Sequence, residues 1–466
     1  MRDKMVRWNN LAADRRVDVF ALGVQRICLL VVIVVELLFF LPGEAMDSLV
    51  YTFLEWKLVD ISILFLAASL CRRTLRQSKW PFLLGLAIVV WFYALRSIHL
   101  RQEGVNQNPG AFVCAYLVCL PFAAASGDRK WGLKALAAVF VLTGASFALY
   151  AVLLVTRQLP SFLQGHVFWD GPRFGTMGHP NICATVLMIS IGLTMSFALN
   201  ARTPWLRLPL LGLSALEFWA VCLTNSRTTI VLTCVLLGGI VFCLLRGPHW
   251  KRILLALAAG AAVMVLLFCV SRWVYAWNTQ RLTLLAQQAR LTGEDIGVEL
   301  DANGQLITQN GQGTFTSSMK TLNGRTEIWS AAMQALRDHP WILMTGTERP
   351  GEIISPYWVS SDTLHAHNAW LQALFQLGVP GLLAALALTG MAVWDAATLL
   401  WRSDDLTRDC VAMVVLCLLG CAMLEPYLFT VIGQFHCFDF LFLLCLGYMR
   451  QWRTQSLTME EVRKNV

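Results

Sequence analysis

Charge is scarce in this chain: Asp, Glu, Lys and Arg make up 14% of its 466 residues, while apolar residues make up 57%. A soluble chain carries about 25% charged residues, so a set of water-soluble domains is excluded and a polytopic membrane protein is indicated. Nucleotide-binding signatures are missing as well. There is no GxxxxGK[ST] loop, no GxGxxG turn and no HExxH helix, which leaves ATP or a nucleotide-linked donor without a recognisable site. The 14 cysteines are not grouped: each lies in or beside an apolar run, and none falls in the long polar stretch 273–365. That pattern supports neither a disulfide framework nor a thiolate metal site, and no metal or other cofactor is expected. The net charge of +8 arrives in small clusters between apolar runs, the pattern of cytoplasmic loops and not of a nucleic-acid surface.

Runs long enough to span a hydrocarbon core fall near 20–41, 49–70, 81–98, 110–126, 135–155, 181–199, 208–223, 228–245, 253–272, 369–398, 410–428 and 432–449, about twelve in all. The sequence therefore predicts an all-α polytopic membrane protein. The first run is too long for a signal-peptide core and no small-residue cleavage site follows it, so it is expected to be a retained helix. Lys and Arg collect in alternate loops, whereas the other short loops hold only Arg101, Arg157, Arg173 and Arg227. The positive-inside rule then puts both termini in the cytoplasm. On this topology residues 1–272 carry the first nine helices, 273–365 form one long extracytoplasmic loop, and 366–466 carry the last three helices and a cytoplasmic tail. Within the loop, VELDANGQLITQNGQGTF reads as a small hairpin turning at DANG. TEIWSAAMQALRDH reads as an amphipathic helix with Ile328, Trp329, Ala332, Met333 and Leu336 on one side.

Four stretches share the outer side: RFGTMGHPN at 173–181, LTNSRTT at 223–229, NGRTEIW at 323–329 and HAHNAWLQALFQLGVPG at 365–381. Arg227 stands in a loop of almost no length, so its guanidinium is expected at the membrane boundary. It reads either as a snorkelling anchor or as a fork for a phosphate group on a membrane-borne ligand. Arg325, in a polar loop, reads on its own as solvated. His367 and Asn368 are expected in the first turn of a helix. At about 100° per residue, Gly378 and Gly381 then fall on the His367 stripe, where missing side chains permit close approach of a helix or lipid chain. Pro380 between them leaves room for a kink, and the helix N-terminus favours an anion beside it. The stretch thus offers a general base next to an anion site. His179 reads as a helix-cap neighbour, and His166, Asp170, His365 and Glu425 are outer-side polar residues with no assigned task.

In these four stretches the sequence resembles the O-antigen ligase and polymerase family of bacterial lipid-linked glycan transferases, over roughly residues 135–400. The most specific likeness is the family's pattern of His, then Asn, Ser or Gln, nine residues, Gly, two residues, and Gly, Thr or Tyr. It is met here by His367, Asn368, Gly378 and Gly381. FGTMGHPN resembles the family's Gly, x, Pro, Asn entry to a helix, which brings in Asn181, although HP stands where Asn-Pro is commoner. TNSRTT resembles its Ser-Arg turn and NGRTEIWSAAMQALRDHP its Gly-Arg and Trp stretch. The resemblance implies a GT-C-like fold and metal-independent, inverting transfer of a glycan from undecaprenyl pyrophosphate to an acceptor hydroxyl, outside the bacterial inner membrane. It implies His367 as the base, Arg227, Arg325 and Arg173 on the pyrophosphate, and Asn368, Gly378, Gly381 and Asn181 as supporting residues. Membrane lipids are further partners; nucleic acid is not. The acceptor is the lipid A core for a ligase, or another lipid-linked glycan for a polymerase. From another class, a polysaccharide transporter or flippase draws on Glu36, Glu217 and Asp395 within apolar runs. Against it stands the polar cluster at the outer mouth.

Overall fold

The computed structural model describes residues 2–39, part of 61–71, and 131–464 except 177–178, 248, 294–295, 302–303, 305, 308–324, 348, 359–364, 404 and 430–435. The helices expected at 81–98 and 110–126, and most of that at 49–70, lie outside the described residues. The elements are α1 (Arg2–Phe39), α2 (Trp131–Val155), β1 (Val167–Asp170), β2 (Arg173–Thr176), α3 (Pro180–Asn200), α4 (Pro204–Thr224), α5 (Arg227–Leu245) and α6 (Trp250–Thr292). They continue with α7 (Arg325–Asp338), α8 (Ile342–Thr345), α9 (Pro350–Ile354), α10 (Ala369–Arg402), α11 (Leu406–Ala422) and α12 (His436–Lys464). Among the described residues seven helices are long and apolar enough to cross a membrane, and the chain is a mostly helical, multi-pass membrane protein.

Helices α2 to α5 stand within a few residues of the runs read from the sequence, but α6 does not. It continues from the apolar run through Thr292, 43 residues in one helix. At 1.5 Å per residue that is about 64 Å, twice the ~30 Å of a hydrocarbon core. Polarity ends a membrane span without ending a helix. Nothing in VYAWNTQRLTLLAQQARLT breaks one, and termination waits for Gly293, a left-handed C-cap at φ 72°.

The chain divides into two compact units. One comprises Ala137–Glu327 and Leu399–Leu424. Its centre is α3, buried along nearly its whole length, as a helix apolar all round must be. Small residues admit its neighbours: a Cβ on Gly192 would run into Val414 of α11. The same device sets α5 on α6, where a Cβ on Gly238 would lie 2.7 Å from the Gly260 carbonyl oxygen, and one on Gly260 equally close to that of Gly238. Two buried acids here have polar partners. Ser190 Oγ donates to Glu217 Oε1, and Arg246 Nη2 reaches Asp409 Oδ2 at 2.8 Å. A short antiparallel hairpin, β1–β2, departs from the all-helical expectation. Asp170 lies opposite Arg173, and Gly171, at φ 58°, opens the two-residue turn as such hairpins require. Strands of four residues are too short to show the alternation that marks a strand. The expected turn at DANG is present: Gly304 N donates to Asp301 O at 3.1 Å, and Leu300 bridges Leu306.

The other unit comprises Met1–Leu136, Ile328–Thr398 and Glu425–Val466. Here α7 docks through Ile328, Ala331, Ala332, Ala335 and Leu336 onto Ile342, Ile354, Ala366 and Phe375. Met333, expected on that face, is 50% exposed. It lies about 140° around the helix from Ile328, too far to share the buried arc. α12 is tied to α10 by Asp395, fully buried between Arg453 Nε at 2.9 Å and Arg450 Nη1 at 3.8 Å.

Candidate functional site

α10 begins at Ala369, so Asn368 and His367 precede the helix instead of forming its first turn. Asn368 is the cap: its Oδ1 accepts from Leu371 N at 2.9 Å, satisfying one of the helix's orphan donors. His367 takes φ 48°, a left-handed conformation uncommon for a side chain with a Cβ. Its neighbour Ala366 is held at both ends. The Ala366 N–H donates to Gln372 Oε1 at 2.9 Å, and its carbonyl accepts from Trp329 Nε1 at 3.1 Å. The docking of α7 therefore fixes the backbone on which the imidazole stands.

His367 Nδ1 lies 3.2 Å from Glu425 Oε2, with side chains 28% and 9% exposed. The His365 ring meets it edge-on, 4.1 Å between centroids. Against an ionised carboxylate, which can only accept, a neutral imidazole in this pairing carries its proton on Nδ1 and its lone pair on Nε2. Glu425 is itself positioned. Four residues on, Phe429 N donates to Asp439 Oδ1 of α12 at 2.8 Å, and the Phe429 ring packs on Trp370 and Phe442. Reading the sequence left Glu425 without a task. The signal available was an acidic residue amid the apolar MLEPYLF, where a lone charge is expensive and calls for a partner.

The two glycines of the pattern do not form a stripe on a continuous helix. Gly378 has φ 67° and ψ −169° and interrupts α10, in a region open essentially to glycine. A Cβ there would lie 2.9 Å from the carbonyl oxygens of both Leu343 and Met344. The contact is reciprocal. Gly346, at φ 65° and ψ −170°, would drive a Cβ into the Gln376–Leu377 peptide, and Thr347 N donates to Phe375 O at 2.6 Å. The carbonyl released by the break is thus satisfied by the α8 segment. Gly381 follows from the kink, since a Cβ there would strike the Leu377 side chain. Gly378 thus sits at a backbone crossing with the 343–346 segment, and Gly381 packs against its own helix.

The predicted arginines lie in the other unit. Arg173 on β2 donates through Nη2 to Asn181 Oδ1 at 2.7 Å and through Nε to Thr224 O at 3.1 Å, and its Nη1 is 3.6 Å from Asp170 Oδ2. This ties the hairpin to the entrance of α3 and to the α4–α5 turn. His179 caps α3, accepting from Asn181 N at 3.1 Å, which fits its structural reading. Arg227 is the first residue of α5, half-buried and within electrostatic range of Arg272 and Tyr275 on α6. Arg173 acts on the same tyrosine. Arg173, Asn181 and Arg227 therefore come together, and Arg272 and Tyr275 join them. Those two were missed because the sequence reading ended the helix at 272. Arg325, read alone as solvated, is buried, 8% exposed, with Nε donating to Leu424 O at 2.7 Å.

Residues 211–386 match the family described as O-antigen ligase. The matched segment contains Arg227, Arg272, Arg325 and His367 together with Gly378 and Gly381, while Arg173, Asn181 and Glu425 lie outside it. No curated protein matches the chain.

Proposed function

We propose that this member of the O-antigen ligase and polymerase family moves a glycan from undecaprenyl pyrophosphate to a hydroxyl of the lipid A core, on the extracytoplasmic side of the bacterial inner membrane. The observation that carries the reading is the His367–Glu425 pair, which presents an oriented imidazole from a braced loop. His367 Nε2 takes the acceptor's proton as the acceptor oxygen attacks the anomeric carbon. The bond from that carbon to the pyrophosphate breaks, its electron pair leaves on the phosphate oxygen, and the configuration inverts. Glu425 stabilises the imidazolium that results. Pyrophosphate leaves without prior protonation once its charge is met, and Arg227, Arg325 and Arg173 are the residues assigned to meet it. The proposal carries with it a GT-C-like architecture of about twelve helices with both termini in the cytoplasm. A polymerase, taking another lipid-linked glycan as acceptor, would use the same chemistry; the description of the matched family favours the ligase.

Two substitutions test the assignment in a reconstituted transfer assay. His367→Ala should lower turnover by about 100-fold or more while donor binding survives. Arg227→Lys keeps the charge but loses the bidentate fork, and should weaken donor binding as well as rate. Near-normal turnover in both variants would overturn this reading in favour of a transporter.

A further inference from the structure

All three nitrogens of the Arg173 guanidinium face acceptors of the protein itself: Thr224 O, Asn181 Oδ1 and Asp170 Oδ2. A fork so engaged is a brace. The turn beside it is braced too, since Asn278 Nδ2 of α6 donates to Pro172 O at 3.1 Å. One turn before Asn278 on the same helix stands Tyr275, buried at 8% exposure. Arg272 lies over the Tyr275 ring, its Cζ 5.7 Å from the centroid. Arg272 is exposed, and among the described residues it forms no ion pair with a carboxylate. Arg227, at the start of the neighbouring helix α5, is within electrostatic range of Arg272. Two guanidiniums held on neighbouring helices, one resting on an aromatic face, are stabilised by an anion that both can reach.

The level in the membrane is set by the same helix. The apolar run ends at 272, and Trp273 and Trp277 follow, 69% and 40% exposed. Exposed tryptophans at the end of a span mark the headgroup layer, where the phosphates of a lipid lie. A phosphodiester offers two non-ester oxygens, enough for one fork; a diphosphate diester offers four.

We propose that Arg272 and Arg227 form a two-fork site for a lipid-borne diphosphate, with Tyr275 as the platform under Arg272 and Arg173 as the brace that holds the hairpin in place. This rests on the functional reading above and deepens it. It moves the second pyrophosphate contact in this unit from Arg173, each of whose three nitrogens already faces an acceptor of the protein, to Arg272, a residue outside the family's motif.

The test is binding, read apart from turnover, on the purified full-length protein. The probes are geranylgeranyl diphosphate, geranylgeranyl monophosphate and phosphatidylglycerol. Wild type should prefer the diphosphate over the monophosphate by about tenfold or more, the scale of one charge-assisted fork. Arg272→Gln should abolish that preference while leaving monophosphate affinity within about twofold and the melting temperature unchanged. Arg272→Lys should fall between the two. An unchanged preference in Arg272→Gln would make Arg272 an interfacial anchor and overturn the proposal. An equal loss for all three probes would make it a general headgroup contact and overturn it as well. In either case the assignment of transfer activity stands. A wild type that binds no prenyl diphosphate at all would instead remove the functional reading.

Discussion

Replacing Gly378 by alanine separates two explanations of the glycine pattern, as a slot for a lipid or as a backbone crossing. The residue sits at φ 67° and ψ −169°, where a side chain costs about 1–3 kcal/mol. The added Cβ would lie 2.9 Å from two carbonyl oxygens, where ordinary contact begins at 3.4 Å. Both obstacles are backbone, so no rotamer change relieves them. α8 must move, at a further cost of about 1–3 kcal/mol, the usual scale for overpacking. The sum, about 2–6 kcal/mol, is a large share of the 5–15 kcal/mol that holds a typical domain together. Gly390, farther along the same helix, is the control. It is exposed, with nothing within 4 Å of a built Cβ, and Gly390→Ala should stabilise by about 0.5–1 kcal/mol through helix propensity alone. Thermal unfolding of the detergent-purified protein should therefore move in opposite directions for the two alanines. Gly346→Ala should resemble Gly378→Ala, and the pair should be non-additive, because each substitution forces apart the same two segments. A Gly378→Ala protein melting at or above wild type would refute the crossing argument, whatever its activity.

The remaining predictions concern the base and the topology. Glu425→Gln keeps the shape of the contact but removes the charge that stabilises the imidazolium, so turnover should fall by about 10- to 100-fold with donor binding intact; transfer at the wild-type rate would show that the pair does not orient a base. A reporter that is active only in the cytoplasm, fused near Asn310, should be silent, and a bright signal would invert the topology and put His367 on the wrong side for the donor.

The membrane-spanning part of the fold was legible because it depends on a property that adds up along the chain. A run such as 181–199 is apolar whichever helix it meets, so α3 could be read without its partners. Sites are different, and the failures have specific physical causes. The spacing from His367 to Gly378 does not translate into a helical angle, since the angle presumes an unbroken helix and the break is imposed by the 343–346 backbone, a stretch with no periodicity to announce it. Arg272 was placed at the edge of a loop because hydropathy marks where the membrane ends and says nothing about where the helix does.

The partners of the site residues show a further limit. Trp329 donates to the carbonyl of Ala366, Arg173 to that of Thr224 and Arg325 to that of Leu424. In each case the donor is a distinctive side chain, visible in the sequence, and the acceptor is a peptide oxygen that every residue type carries. Residue patterns can therefore flag the donor and remain silent on what it grips. Arg325 illustrates the consequence: the same GRTEIW motif fits a solvated loop arginine and a buried one bonded to a backbone 99 positions away. Glu425 is the complementary case. Both partners of the His367 contact are side chains, and an acid set among apolar residues is visible in the sequence. An acidic residue in MLEPYLF and a histidine on the same predicted side were the available signal for a charge pair; what the fold adds is the 3.2 Å approach of Glu425 Oε2 to His367 Nδ1.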